Sequence, residues 1–258
     1  TIRLTMAQAL VRHLAAQQVR VAGETVPLFA GVFAIFGHGN VAALGEALHE
    51  HRAALPTWRA HNEQAMAHTA IAYAKAQARR RMLAVTTSIG PGATNLVTAA
   101  ALAHVNRLPV LLLPGDVFAN RKPDPVLQQV EDFNDGTVSV NDCFRAVSRY
   151  FDRIIRPEQL IAALQRTMQV LTDPADCGPV TLAMCQDVQA EAYDWPESFF
   201  DEKVWRQRRI RPDLDELATA VAALKSAKSP MIIAGGGVLY SGAGAELTAF
   251  AEAHGLPV

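Results

Sequence analysis

From residue 4 to about 186 the hydrophobic positions alternate between two rhythms. Short runs are apolar at nearly every position. Between them lie stretches in which apolar residues recur every three or four positions. The first rhythm is that of a strand buried on both faces, the second that of an amphipathic helix. The runs 32–36, 82–87, 109–113 and 180–184 are predicted as strands. Helices are predicted where Thr5 precedes Leu10, Val11 and Leu14, and where Asn40, as N-cap, precedes Leu44 and Leu48. Others are predicted over 62–79, after Gly90-Pro91-Gly92 to about 104, and along Leu160, Leu164, Met168 and Leu171. Strand–helix alternation of this kind predicts an α/β fold, a parallel sheet with helices on both faces. In such sheets ligands bind beyond the carboxyl ends of the strands, so the turns after Phe36, Thr87 and Leu113 are the ones to inspect.

The rhythm lapses over 187–210, where Tyr193, Trp195, Phe199, Phe200 and Trp205 sit among charges without a period. This stretch is expected to be an interdomain linker packed on a surface. A second α/β pattern then begins: a helix through Leu214, Leu217, Val221 and Leu224, a strand over 230–234, a turn at Gly235-Gly236-Gly237 and a helix over 246–254. The expected division is therefore 1–186, 187–210 and 211–258. The last piece is too short to bury a core of its own. With no initiator Met at one end and a new strand about to begin at the other, the chain is expected to be a portion of a longer protein.

Composition narrows the partners. Across 258 residues, 24 Lys+Arg face 25 Asp+Glu, and half the residues are hydrophobic. That balance predicts a globular chain and argues against nucleic acid or an anionic membrane as partner, since both select a basic face. The run Arg206, Arg208, Arg209 and Arg211 reads as a solvated linker. Cys143, Cys177 and Cys185 form no CxxC pair, which fits a reducing cytoplasm and supports neither a zinc site nor a redox dithiol. No run approaches the roughly 20 apolar residues of a membrane span.

Taken singly, the candidate residues have modest readings. Glu63 in a first helical turn stabilises the helix end. His61 and His68 lie two turns apart and read as ordinary surface or core histidines, and His49-Glu50-His51 as a solvated helix end rather than a metal site. Ser88-Ile89-Gly90-Pro91-Gly92 follows a strand and opens a helix, so backbone N–H groups there could approach a ligand closely. It lacks the GK[ST] of a P-loop and the first Gly of GxSxG. Gly235-Gly236-Gly237-Val238-Leu239-Tyr240 fails GxGxxG at Tyr240.

The order of these segments says more than any one of them. Phe36-Gly37-His38-Gly39-Asn40, then His61-Asn62-Glu63 leading an Ala-rich helix to Tyr73-Ala74, then Gly90-Pro91-Gly92-Ala93-Thr94-Asn95, then Leu108-Pro109-Val110 resembles the pyrimidine-binding domain of the thiamine-diphosphate enzymes, in the acetolactate-synthase-like group. The resemblance covers roughly residues 5–186, and 211–258 looks like the start of that family's middle domain. Phe36-Gly37-His38-Gly39 lacks the Pro of the group's FGxPG. The connections at 17–32 and 116–134 are long. Both departures look more like the ring-opening hydrolases that act on a trihydroxylated cyclohexane-1,2-dione in inositol catabolism.

The resemblance implies a catalytic Glu63 that hydrogen-bonds N1′ of the cofactor's aminopyrimidine, from a position held away from water. It implies that Gly90, Pro91, Gly92 and Asn95 line the pyrimidine pocket, and that His38 with Gln128 or Gln129 faces the substrate. The cofactor performs the carbanion chemistry and the protein orients it. Thiamine diphosphate and Mg²⁺ are implied, with the diphosphate and metal motif, GDG followed by an Asn, expected in a C-terminal domain. Gly115-Asp116-Val117 has the wrong third residue for it, and no metal ligand is expected in this chain. A second copy of the chain is expected to complete the active site of a cytoplasmic homo-oligomer, so this portion alone should be inactive. The alternatives are an acetolactate-synthase-like transferase and a non-enzymatic, flavodoxin-like binding module.

Overall fold

The computed structural model describes residues 1–123, 125–130 and 132–258. They form two compact units, 1–206 and 207–258.

In chain order the first unit holds β1 (Ile2–Thr5), α1 (Met6–Ala15), β2 (Gln17–Val21), β3 (Glu24–Pro27), β4 (Phe29–Ala34), α2 (Glu46–Glu50), β5 (Thr57–Trp58), α3 (Glu63–Ala76), β6 (Met82–Thr87), α4 (Pro91–Thr94), α5 (Val97–Asn106), β7 (Val110–Asp116), β8 (Tyr150–Ile154), α6 (Gln159–Leu171), β9 (Pro179–Cys185), β10 (Ala192–Trp195) and β11 (Lys203–Trp205). Six of the strands make one sheet in the order β5-β4-β6-β7-β9-β8, every neighbouring pair parallel. Of the four inner strands, β6, β7 and β9 are buried at every residue, as a parallel sheet covered on both faces requires.

Because strand side chains alternate, one face of the sheet carries Met82, Ala84, Leu111, Leu113, Val180 and Leu182, and packs with α1, α2 and α6. The amphipathic α1 inserts Met6, Leu10, Val11 and Leu14 there. Shortening one such leucine to alanine costs roughly 2–5 kcal/mol. The other face is covered by α3 and α5, whose buried positions are mostly alanine: Ala67, Ala70, Ala74, Ala99, Ala100 and Ala103. Small side chains let these helices lie close to each other and α3 lie close to β6.

The elements depart from the sequence-based expectation in several places. Asn40 does not cap a helix with its side chain. The chain passes through a π-helical turn, Val41–Gly45, into the short α2, and the amide is used elsewhere, as described below. The strand predicted over 109–113 runs on through Pro114, Gly115 and Asp116. Finally, much of 187–210 is ordered on the first unit: β10 pairs antiparallel with β1, Ile2 opposite Trp195, and β11 pairs parallel with β2, which also forms a hairpin with β3. The aromatic residues of that stretch supply the reason. Trp195 is fully buried with its indole N–H on the Leu4 carbonyl, and Trp205 donates to the Gln17 side chain.

In the second unit α7 (Leu214–Ser226), capped by the Asp213 side chain, α8 (Gly236–Ser241) and α9 (Gly244–His254) form. Residues 230–234, predicted as a strand, form none, with one backbone hydrogen bond from the Ile232 N–H to the Pro257 carbonyl. A strand needs a neighbour's ladder, and among the described residues 207–258 none is present. Leu214, Leu217, Val221, Leu224, Met231 and Ile233 are exposed. Among the described residues no helix is long and apolar enough to cross a membrane.

Candidate active site

Four turns meet at the carboxyl ends of β4, β6 and β7. The first, Phe36-Gly37-His38-Gly39, is fixed by the buried Asn40 side chain. Its Oδ1 accepts the Gly37 N–H at 2.9 Å, and its Nδ2 donates to the Ile35 carbonyl at 3.2 Å and to Thr86 Oγ1 on β6 at 3.1 Å. The turn lies directly on the one after β6. A Cβ on Gly37 would collide with the Ser88 hydroxyl, and one on Gly39 would lie 2.9 Å from the Ile89 nitrogen. Gln189, also buried, donates to the Gly39 carbonyl at 2.7 Å and closes the turn from the other side. His38 is half-buried with Nε2 enclosed and without a hydrogen-bond partner among the described residues.

The second turn starts α3. Asn62 accepts the Ala65 N–H at 2.7 Å as N-cap, which places Glu63 in the first turn. Glu63 is half-buried rather than fully enclosed. The third turn has Gly90 at φ +64°, a conformation that favours glycine, followed by Pro91 as the first residue of the four-residue α4. It ends at Asn95, whose Nδ2 donates to Glu63 Oε2 at 2.9 Å. The other carboxyl oxygen, Oε1, has no hydrogen-bond partner among the described residues. It faces Gly92, where a Cβ would come within 3.3 Å of it. Glu63, Gly90, Gly92 and Asn95 are thus brought together.

The fourth element is the connection after β7. Gln128 has left-handed backbone (φ +62°) and sets its carbonyl against Gly90, so closely that a Cβ there would collide with it. The Gln128 side chain is exposed. That of Gln129 is buried, 6% exposed, and both its amide atoms lack partners among the described residues.

Sequence reasoning overlooked the charged network behind this connection. Asp116, at the end of β7, is fully buried and paired with Arg153 of β8 at 2.7 Å; Arg153 also reaches Asp142 at 3.1 Å. Burial pushes the Asp142 carboxyl up, but the Ser139 N–H and the Arg145 and Arg153 guanidinium groups outweigh it and hold it below its ordinary value. A carboxylate closing an otherwise apolar strand was the available signal. Gly115-Asp116-Val117 is committed to this pairing. Elsewhere, His49 and Glu50 are exposed at the end of α2, His61 is exposed, and His68 bonds Gln64. A cavity of about 570 Å³ lies between α1, α6 and 196–205, and none of the predicted site residues lines it. Among the described residues no group of three or more His, Cys, Asp or Glu is arranged to hold a metal. The cysteines are unbridged, Cys143 exposed and the other two buried.

Comparison with known proteins places the chain in a family. Residues 4–135 match the thiamine pyrophosphate enzyme N-terminal TPP binding domain, and 217–258 match the central domain of the same enzymes. Over 257 residues, the whole of this chain, it is 53% identical to the 3D-(3,5/4)-trihydroxycyclohexane-1,2-dione hydrolase of Geobacillus thermodenitrificans and 51% identical to that of Bacillus licheniformis. It is 52% identical to 3D-(3,5/4)-trihydroxycyclohexane-1,2-dione hydrolase 2 of Bacillus cereus. The chain spans 40% of the length of each of these relatives. With half of its residues matched by the N-terminal domain and a second match to the central one, the chain belongs to the thiamine pyrophosphate enzymes.

Proposed function

We propose that this chain is the pyrimidine-binding part of a thiamine-diphosphate-dependent hydrolase that breaks a ring C–C bond of 3D-(3,5/4)-trihydroxycyclohexane-1,2-dione. The observation that carries the reading is the Glu63–Asn95–Gly92 arrangement. One carboxyl oxygen is held by Asn95, and the other is left without a partner beside a residue that has no side chain. These residues fit the cofactor's aminopyrimidine. The Gly90–Gly92 turn leaves backbone exposed to a flat ring, and a carboxyl group is the donor or acceptor that a ring nitrogen needs. When bound, the cofactor supplies the carbanion chemistry that no amino-acid side chain provides.

The chain's own residues then have separate tasks. Glu63 Oε1 holds and exchanges the proton at N1′. Such a group contributes roughly 10²–10⁴-fold when placed within hydrogen-bond reach. Asn95 holds Oε2, so Oε1 would be the oxygen left to meet the ring. Gly90, Pro91 and Gly92 line the pocket by backbone. His38 and Gln129, with Gln128 beside it, face the hydroxylated substrate, and their unpartnered buried polar atoms are suited to hydroxyl groups. The diphosphate and Mg²⁺ are assigned to the part of the relatives' length that this chain does not span. A second copy of the chain completes the site, in a cytoplasmic homo-oligomer, and this portion alone is inactive. The substrate assignment rests on the relatives' names.

The test is turnover by the gene product at its full encoded length, with thiamine diphosphate and Mg²⁺, on the cyclic dione and on pyruvate. Acid formation from the dione is expected. Condensation of pyruvate with no action on the dione would make the protein a transferase and overturn the reading.

A further inference from the structure

We propose that Asp116 is a positioning residue: one buried carboxylate fastens both ends of the connection between β7 and the turn Val140–Ala146 and so sets the Gln129 amide at the site. The proposal rests on the reading of the site given above.

An ionised carboxylate taken out of water costs several kcal/mol unless other groups replace its hydration. Asp116 is fully buried, and its oxygens are well used. Oδ1 accepts the Val117 N–H at 2.8 Å and the Ser139 hydroxyl at 2.5 Å, and Oδ2 accepts Arg153 Nε at 2.7 Å. Val117 is the first residue to leave the sheet. Ser139 caps the turn by which the chain returns, in a capping box with Asp142. Beside them, Asn141 donates to the Gly115 carbonyl at 2.8 Å. Departure and return, 23 residues apart, are therefore held at one point. Arg153 opposes both Asp116 and Asp142, and Arg145 adds a second cation on Asp142, so the cluster is neutral as a set.

What the connection carries explains why it must be held. Gln128 has left-handed backbone and presses its carbonyl on Gly90. Gln129 buries an amide whose oxygen and nitrogen have no partner among the described residues. Strained backbone and unmet hydrogen bonds persist only where the surroundings over-determine them. Here the stems at Asp116 do so, and the Gln129 amide is kept unpaired for a ligand. Asp116 thus acts through Gln129 and not on the reacting atoms.

The experiment is a pair of double-mutant cycles in the full-length gene product, using Ser139→Ala, Asp116→Asn and Gln129→Ala. Ser139→Ala is expected to lower kcat/KM several-fold and Asp116→Asn about tenfold or more, mainly through KM, with thiamine diphosphate affinity by fluorescence titration unchanged. On the Gln129→Ala background both losses should shrink to within about twofold, because residues that act as a unit are non-additive. Hydrogen exchange at residues 126–130 should quicken in Ser139→Ala. Losses that multiply fully with Gln129→Ala overturn the proposal, as does an equal loss of cofactor affinity. If Asp116→Asn does not fold, the Ser139→Ala cycle decides alone. If the wild type turns over neither the dione nor pyruvate, the reaction reading fails by itself. Exchange at 126–130 then still decides the positioning role, and unchanged protection in Ser139→Ala rejects it.

Discussion

Asn95 donates to Glu63 Oε2 at 2.9 Å across 32 residues of chain, and this one hydrogen bond decides which oxygen of the carboxyl is left for a ligand. Glu63→Gln keeps the shape and an acceptor for Asn95 but removes the exchangeable carboxyl proton. Activity of the full-length gene product is expected to fall about 100-fold or more. Circular dichroism and the thermal midpoint of this chain should stay as they are. Turnover near the wild-type rate would remove Glu63 from the mechanism.

Gly90→Ala should destabilise the first unit for two reasons, its φ of +64° and the collision of a Cβ with the Gln128 carbonyl. The expected cost is about 1–3 kcal/mol, or several degrees in thermal midpoint for a unit of this size. Gly23→Ala is the control, because its φ is +91° with nothing within 4 Å of the added Cβ. Equal losses in the two variants would show that strain alone, and not the loop carbonyl, sets the cost.

The Asn40 side chain makes three hydrogen bonds in a nearly dry setting. Asn40→Ala strands the Gly37 N–H and should cost roughly 1–3 kcal/mol in denaturant melts. Combined with Thr86→Val, the loss should fall short of the sum by about 0.5 kcal/mol or more. Strict additivity would mean that the two side chains do not act together.

His13 gives the first unit a pH dependence. Its Nδ1 lies 2.8 Å from the Phe199 carbonyl, which can only accept, so Nδ1 carries the hydrogen. The ring stacks on Phe199 at 4.4 Å. Burial pulls the His13 pKa down, the Phe199 carbonyl opposes this and the Lys203 charge adds to it; the net result is a value below the ordinary 6.5. The unfolded imidazole therefore binds its proton at a higher pH than the folded one. The stability held by neutral His13 is fully present above about 6.5 and is lost as pH falls below it. Between pH 8 and pH 5 the thermal midpoint of the wild type should drop further than that of His13→Gln, which cannot titrate. Parallel profiles would refute the assignment.

What could be read from the sequence was local in character. β6 forms over the six residues expected, because a short, mostly apolar run after a helix and before a Gly-Pro-Gly turn suits a strand buried on both faces. Glu63 and the Gly90–Asn95 turn stood out through the order of segments that carries the family resemblance, and the structure brings Asn95 onto Glu63. β8 was not found. As an edge strand it keeps four of its five residues half-buried, and Tyr150, Asp152 and Arg153 blur the apolar rhythm. Nor could the use of Asn40 be foreseen. Its type suits a helix cap, but its amide turns to Thr86, 46 residues away. The role of Asp116 depends on Arg153, 37 residues on, and β10 and β11 depend on strands near the other end of the chain. Partnerships of that range leave no period to detect.

The ribbon in which Ile2 lies opposite Trp195 has a consequence for biosynthesis. A chain made at about 5–20 residues per second exposes β1 on the order of 10–40 seconds before β10 has been synthesised. Through that interval the N-terminal strand is an unpaired edge, and the face of α1 that Trp195 will cover is open to water and to other chains. Nascent-chain chaperones therefore have a defined window on this protein, and it closes only when the 192–205 segment has left the ribosome.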